Sequence, residues 1–548
     1  MNFFLREAWN EFRAGLRGGV LPLIYVVLTG YILIVMTSAE NLQKMGAIDI
    51  PRNAPAMVYL MTSGDAFFLF FAWAWIFAQP IVRDRKFQLQ EIVLSSPISL
   101  NRLLFARYTG ALGIALLLGT SQILGFLLAP VLEFMGAVPA GSVAPAPWSA
   151  FGWASLVFTL PLAAGSGALY FVAALRTRSV GGPFAVAALL MAFWMVAMIV
   201  FKEGHADPFL VTLLDPSGFA EAEHQVVDQW TPHEKSTALL ALTPALLWNR
   251  LIWGLFPLAL LAFSIVRATR ESLTLERGER YRPLRTISTR RPAASLHGVH
   301  VGFINDPSWW RAMASESLWQ VRQIVTRRVL WIAVGFLVLL AVAAGFAHGV
   351  NHAYGPMVAR AEYVSPVLLR TFYLIIVFMV AALVGLTARR DEQPGLSEMF
   401  DAAPAPGSIR LVGRSVAALI IAVTCSLIPA IGAIITGLIF TKGTSFLLPI
   451  LHQRTVLLPA ILELAAITLL LHAVIRRSGT AHAASILAAF IMVVNFEVGL
   501  VNYPPHQIGR GVQIAVSGLT GFAPWAEKLL AGNAFKLALI VALLGLAA

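Results

Sequence analysis

Apolar residues run in stretches about twenty long, the length needed to cross the hydrocarbon core of a bilayer. Six fall at 19–37, 59–82, 104–131, 149–175, 180–201 and 246–267, and six more at 329–348, 365–387, 411–440, 455–475, 481–502 and 534–548. This pattern predicts an all-α polytopic membrane protein of about twelve transmembrane helices arranged as six plus six. Ahead of each set, apolar positions recur at helical spacing with charges between them: Phe4, Leu5, Ala8, Trp9, Phe12 and Leu16 in the first, and Trp309, Trp310, Leu318, Trp319 and Ile324 in the second. Such spacing predicts a helix lying in the membrane interface over residues 1–18 and another over 308–327. The last run is short: at ~1.5 Å per residue its sixteen or so residues reach about 24 Å of a core about 30 Å thick. It is expected to be a helix cut by the end of the chain.

Composition agrees with the pattern. Of 548 residues 58% are hydrophobic and 12% charged, and the mean hydropathy of +0.76 exceeds what a soluble core can hide. Forty Lys and Arg against 28 Asp and Glu give a net charge of +12. The bases sit in short loops, so topology rather than nucleic acid explains them. Arg83, Arg85, Lys86, Arg102 and Arg107 in one loop, and Arg176, Arg178, Arg476 and Arg477 in others, mark the cytoplasmic side. The stretch from Lys202 to Pro244, with Asp207, Asp215, Glu221, Glu223, Asp228 and Glu234, belongs outside, and the N-terminus in the cytoplasm. Residues 269–307 lose apolar periodicity and carry seven arginines from Arg270 to Arg291, a basic cytoplasmic linker able to lie against anionic lipid. It divides the chain into halves 1–268 and 308–548.

The halves are copies. RDRKFQLQEIVLSSPISLNRLLFAR at 83–107 aligns without a gap on RDEQPGLSEMFDAAPAPGSIRLVGR at 390–414, matching Arg83 to Arg390, Asp84 to Asp391, Leu89 to Leu396, Glu91 to Glu398, Pro97 to Pro404 and Arg107 to Arg414. A short helix over Leu89–Ser95 ending at Pro97, and its counterpart over Leu396–Ala402 ending at Pro404, are expected. The second copy, with Pro394, Gly395 and Pro406 and nothing basic to match Lys86, is the less regular.

This repeated loop resembles the cytoplasmic loop of ABC-2 type permeases, the type V exporter-like membrane parts of ATP-binding cassette transporters. The segment DPFLVTLLDPSGFAEAEHQVVDQWTPHEKSTALLALTPALLWNRLIWG resembles more narrowly the membrane part of bacterial proteins that join a duplicated ABC-2 permease to a zinc aminopeptidase. The resemblance implies a coupling helix in each half that docks on a nucleotide-binding subunit. The docking residues would be Arg83, Asp84, Leu89, Glu91 and Pro97, with Arg390, Asp391, Leu396, Glu398 and Pro404. It implies two copies of that subunit, holding the ATP and Mg, membrane lipid around the spans, a bacterial inner-membrane location, and export as the expected direction. A peptidase domain is a possible further partner. The chain has neither G-x-x-x-x-G-K-[ST] nor H-E-x-x-H, so it holds no phosphate cradle or zincin site and is not itself expected to be an enzyme or to hold a cofactor or metal.

Ionisable residues inside apolar runs are costly and point to function. Glu463 and His472 in the tenth run, and Asp65 and Arg370 at nearly corresponding places in the second and eighth, are the candidates for a translocation path. Asp65 and Arg370 would form an ion pair if the two spans face each other; hydration near the outer headgroups is the plainer alternative. The same four residues would serve as the ion relay of a secondary transporter, a competing reading. A membrane anchor for an associated peptidase is the third.

Overall fold

A computed structural model describes residues 3–17, 20–37, 42–43, 46–64, 66–86, 89–95, 97–178, 180–198, 207–270, 309–326, 328–350, 360–388, 407–441, 444–475, 478–498 and 523–547. Its elements are helical, with no strand among the described residues.

The first half begins with α1 (Phe3–Leu16) and α2 (Val20–Thr37), then α3 (Pro55–Gly64), α4 (Ala66–Lys86), the short α5 (Gln90–Ser95) and α6 (Leu100–Leu127). There follow α7 (Ala129–Phe134), α8 (Trp148–Ala154), α9 (Leu160–Thr177) and α10 (Gly181–Met195). Between the fifth and sixth apolar runs stand α11 (Pro208–Leu214), α12 (Phe219–Glu223) and α13 (Pro232–Thr237), and the half ends with α14 (Pro244–Arg250) and α15 (Phe256–Val266). The second half repeats the theme: α16 (Trp309–Val325), α17 (Arg328–Val350), α18 (Ala361–Ala388), α19 (Gly407–Phe440), α20 (Leu447–His452), α21 (Leu458–Val474), α22 (Ser478–Val498) and α23 (Ala526–Ala547).

Among the described residues seven helices are long and apolar enough to cross a membrane: Leu100–Phe134, Trp148–Thr177, Gly181–Met198, Pro244–Val266, Ile409–Phe440, Leu447–Val474 and Ala526–Ala547. Up to ten qualify if each of three bent pairs counts as one span. Two shorter apolar helices, Val334–Phe346 and Thr480–Val493, fall at the remaining expected positions.

The bends have local causes. Between α1 and α2 the axis turns by 69°, which takes α1 away from the direction of its neighbour, as its amphipathic pattern requires. Turns widened to the π form interrupt the fourth span of each half, at Ser155–Thr159 and Gln453–Leu457, and the sixth span at Leu251–Leu255. Each is followed two residues on by a proline, Pro161, Pro459 or Pro257. A proline has no N–H for the carbonyl four residues before it, and a widened turn accommodates the loss.

The last helix differs from expectation. It begins at Ala526 rather than near 534 and has 22 residues, so at ~1.5 Å per residue it reaches about 33 Å, enough for the core. The apolar run looked short because Glu527, Lys528, Asn533 and Lys536 interrupt it. A helix tolerates them where its neighbour supplies partners.

Two interfacial helices dock in the same way. α1 packs on α6 and α16 on α19, each across a glycine. A Cβ on Gly110 would stand 2.5 Å from the Ala8 carbonyl oxygen, and one on Gly413 2.6 Å from Glu316 Cγ. The core of the first half gathers Phe70, Trp73, Phe77, Tyr108, Tyr170 and Phe171, and that of the second Leu368, Phe372, Ile376, Val380 and Ile461. Each half also lends a residue of its fifth span to the other: Phe490 of α22 enters the first core and Met195 of α10 the second.

Candidate functional site

At the foot of the first half, α4 ends in Arg83 and Asp84, α6 brings Arg107 from its second turn, and α1 brings Glu7 and Glu11. Arg107 donates to Asp84 at 2.7 Å, to the Pro80 carbonyl at 2.9 Å and to Glu7 at 3.3 Å, and lies 3.6 Å from Glu11. Arg83 donates to Glu11. Both Arg107 and Glu11 are buried. An unpaired charge there would be costly, whereas this ring of two bases and three acids satisfies itself. Arg83 and Asp84, expected on the docking surface, are therefore turned inward to tie the interfacial helix to the two ends of the loop.

The loop between them carries α5, one residue from the expected start at Leu89. The Leu89 N–H reaches back to the Asp84 carbonyl at 2.8 Å, and Pro97 follows the helix, exposed. Leu89 is 45% exposed and Ile92 68%. A six-residue helix with Ile92 in the open, and Leu89 exposed just before it, is an apolar knob on a polar loop. The side chain of Glu91 and residues Arg390, Asp391, Leu396, Glu398 and Pro404 lie outside the described residues.

Of the path candidates, Asp65 also lies outside them, and with it the expected pairing to Arg370; Arg370 is exposed. Glu463 of α21 is 2% exposed and meets Lys536 of α23, itself 5% exposed, at 3.1 Å. One helical turn away, Asn533 donates to the Thr455 carbonyl at 3.0 Å. That carbonyl stands four residues before Pro459, which has no N–H to give it. Two of the four polar residues that obscured α23 in the sequence, Asn533 and Lys536, thus have partners on the fourth span of this half.

The first half makes the same crossing differently. Gly165 lies four residues after Pro161, as Glu463 lies four after Pro459. A Cβ on Gly165 would collide with the carbonyl of Trp253, the residue four before Pro257, which has no N–H to offer it. One half joins its fourth and sixth spans by a bare backbone approach, the other by an ion pair.

His472, nine residues past Glu463, is buried and packs at 3.0 Å, Nε2 to Nδ1, against His482 of α22, with its own Nδ1 2.9 Å from the Thr468 carbonyl. If Nδ1 donates to Thr468, Nε2 is left to accept from His482. Among the described residues no cluster of three or more His, Cys, Asp or Glu is gathered for a metal.

A polar network that the sequence showed only as a resemblance lies between the fifth and sixth spans. Asp215 accepts from the Ser217 N–H and hydroxyl at 2.8 and 2.7 Å and from the Ala220 N–H at 2.9 Å. Burial pushes the Asp215 carboxyl up from its usual value, against the lowering by these donors and by Arg250. Asn249 donates to the carbonyls of Thr212 and Asp215, Arg250 to Ser217 at 2.7 Å and Trp253 to Leu213 at 2.9 Å. Glu221 accepts from Gln225 and Thr243, both at 2.8 Å, and Gln225 exchanges two bonds with Ala241. Thus LLDPSG, FAEAE and LLWNRLIWG fold onto one another, and their polar residues serve the segment's own backbone. No protein-family model and no curated protein matches the chain.

Proposed function

We propose that the chain is the transmembrane permease subunit of an ABC-2 type ATP-binding cassette transporter, both halves in one polypeptide, moving cargo across a bacterial inner membrane with energy from separate nucleotide-binding subunits. The observation that carries this reading is α5. A loop that occurs twice, once per half, presents Leu89 and Ile92 outward, while Arg83, Asp84 and Arg107 clamp its two ends to α1. A push on the knob would pass into α1, α4 and α6 together, because the ion-pair ring joins all three. Arg390, Asp391 and Arg414 repeat three members of that ring in the sequence of the second half.

The reading is tested by Leu89→Asp with Ile92→Asp in the full chain, purified from membranes that hold its ATPase. Loss of the co-purifying ATPase, with the melting temperature of the chain unchanged, is expected; an ATPase retained at the wild-type ratio sinks the proposal. An ion relay through Glu463 and His472 fits less well. Nine residues at ~1.5 Å separate them by about 13 Å along one helix, and their observed partners, Lys536 and His482, sit on different helices.

A further inference from the structure

α1 sorts its charges by face. At about 100° per residue, Leu5, Trp9 and Leu16 fall within about 40° of one another, and all three are exposed. Arg6, Arg13 and Arg17, also exposed, form a second line roughly 80° round from the first. Glu7 and Glu11 lie about 120° further on and face Arg107.

The same order recurs on α16 without matching residues. Trp310, Leu318 and Val325 are exposed along one stripe, with the small Ala314 exposed between them, and Arg311 and Arg322 are exposed beside it in the same rotational sense. Glu316 lies on the inner side, against Gly413. Arg6 and Arg17, like Arg311 and Arg322, are eleven residues apart, three helical turns. An amphipathic helix needs only an apolar face; placing every acid inward and every one of these arginines outward, twice, is a further specification.

We propose that α1 and α16 form two pseudo-symmetric docking surfaces for anionic phospholipid, the apolar stripe entering the acyl boundary and the arginine line taking the headgroup phosphates. Charge complementarity selects this occupant. With Glu7 and Glu11 held by Arg107 and Glu316 taking a hydrogen bond from Gln320, the charged side chains left along each outer face are arginines, and the 69° turn after α1 gives that helix a course away from the spanning direction. Each arginine near an anionic surface is worth about fivefold in affinity, and its planar fork suits phosphate better than an ammonium.

The test uses the full chain reconstituted in phosphatidylcholine with trace spin-labelled phosphatidylglycerol or phosphatidylcholine, reading the motionally restricted fraction of each label. Wild type should hold the anionic label severalfold more than the zwitterionic one. Arg6→Gln, Arg13→Gln, Arg17→Gln, Arg311→Gln and Arg322→Gln together should bring the ratio to parity, and the same five positions as Lys should keep most of it. Equal retention of both labels by wild type, or a preference untouched by the five Gln substitutions, overturns the inference. So does its removal by inorganic phosphate at matched ionic strength, which would mark a site for a free anion. Should the Gln variant fail to fold, a wild-type preference that does not fall with added salt overturns it equally.

Discussion

Removing one member of the Glu463–Lys536 pair leaves the other charged between two apolar helices, since both side chains are almost fully enclosed. Breaking a buried pair from one side costs about 3–5 kcal/mol, while replacing both by apolar groups of similar size is often neutral. Lys536→Met is therefore expected to lower the melting temperature of the detergent-solubilised protein, and Glu463→Leu with Lys536→Met to restore most of it. If the double variant is as weak as the single, the charges do more than hold α23. At the foot of the first half, Arg107→Met should be at least as damaging, because Glu7, Glu11 and Asp84 lose a shared partner; a melting temperature within a degree of wild type would count against the ring. At this scale the sequence showed Glu463 and His472 as costly residues but not their partners. Lys536 lay in an apolar run that it shortened, and pairing between helices 73 residues apart leaves no local signal. Arg83, Asp84 and Arg107 were legible as a repeat. Their use was not, since two opposite charges on one loop fit an internal tie as well as a partner's surface.

Among the elements, those defined by hydropathy were legible to within a few residues: α2, the span from α8 through α9, and α19 stand where their apolar runs do. Proline placed the breaks less plainly, because one proline can be absorbed by a widened turn, as at Pro161 and Pro459, without ending the span. Least legible were α11 to α13, short helices held by side chains rather than by an apolar face. There Asp215 is the centre. Asp215→Ala would strand the Ser217 and Ala220 N–H groups in a buried place, at about 1–3 kcal/mol, and limited proteolysis should cut the segment between α10 and α14 while the spans stay intact. The acid dependence has a definite sign. A carboxyl raised on folding from 3.8 binds its proton more tightly in the folded segment, so its contribution is most favourable below that value and is lost as pH rises through the folded value. Protection from protease should therefore weaken as pH rises above 3.8, and Asp215→Asn should flatten the trend; a trend that survives Asn belongs to another group.

Across the whole molecule the halves meet through residues of their fifth spans, and the meeting has an aromatic centre. Tyr31 of α2, Phe68 of α4 and Phe490 of α22 stand edge to face, with ring centroids 5.0, 5.7 and 4.9 Å apart. Such pairs add about 0.5–1.5 kcal/mol each beyond area burial, a modest hold between the halves. The duplication was plain in the sequence, but not this seam: Phe490 is one aromatic among many in apolar runs, and only the fold carries it across to the other half. If a transport cycle tilts the halves against each other, this contact must open in one arrangement and close in another. Phe68→Cys with Phe490→Cys, in a chain whose buried Cys425 is first replaced by Ala, places two thiols at the seam. A short bis-methanethiosulfonate should then bridge them in the resting protein, shifting its mobility on a non-reducing gel. On the proposed function, cross-linking should also stop ATP turnover by a nucleotide-binding partner, with recovery on reduction. Turnover that continues unchanged in the fully cross-linked protein would mean that the seam between Tyr31, Phe68 and Phe490 is a fixed hinge, and that any movement occurs within the halves rather than between them.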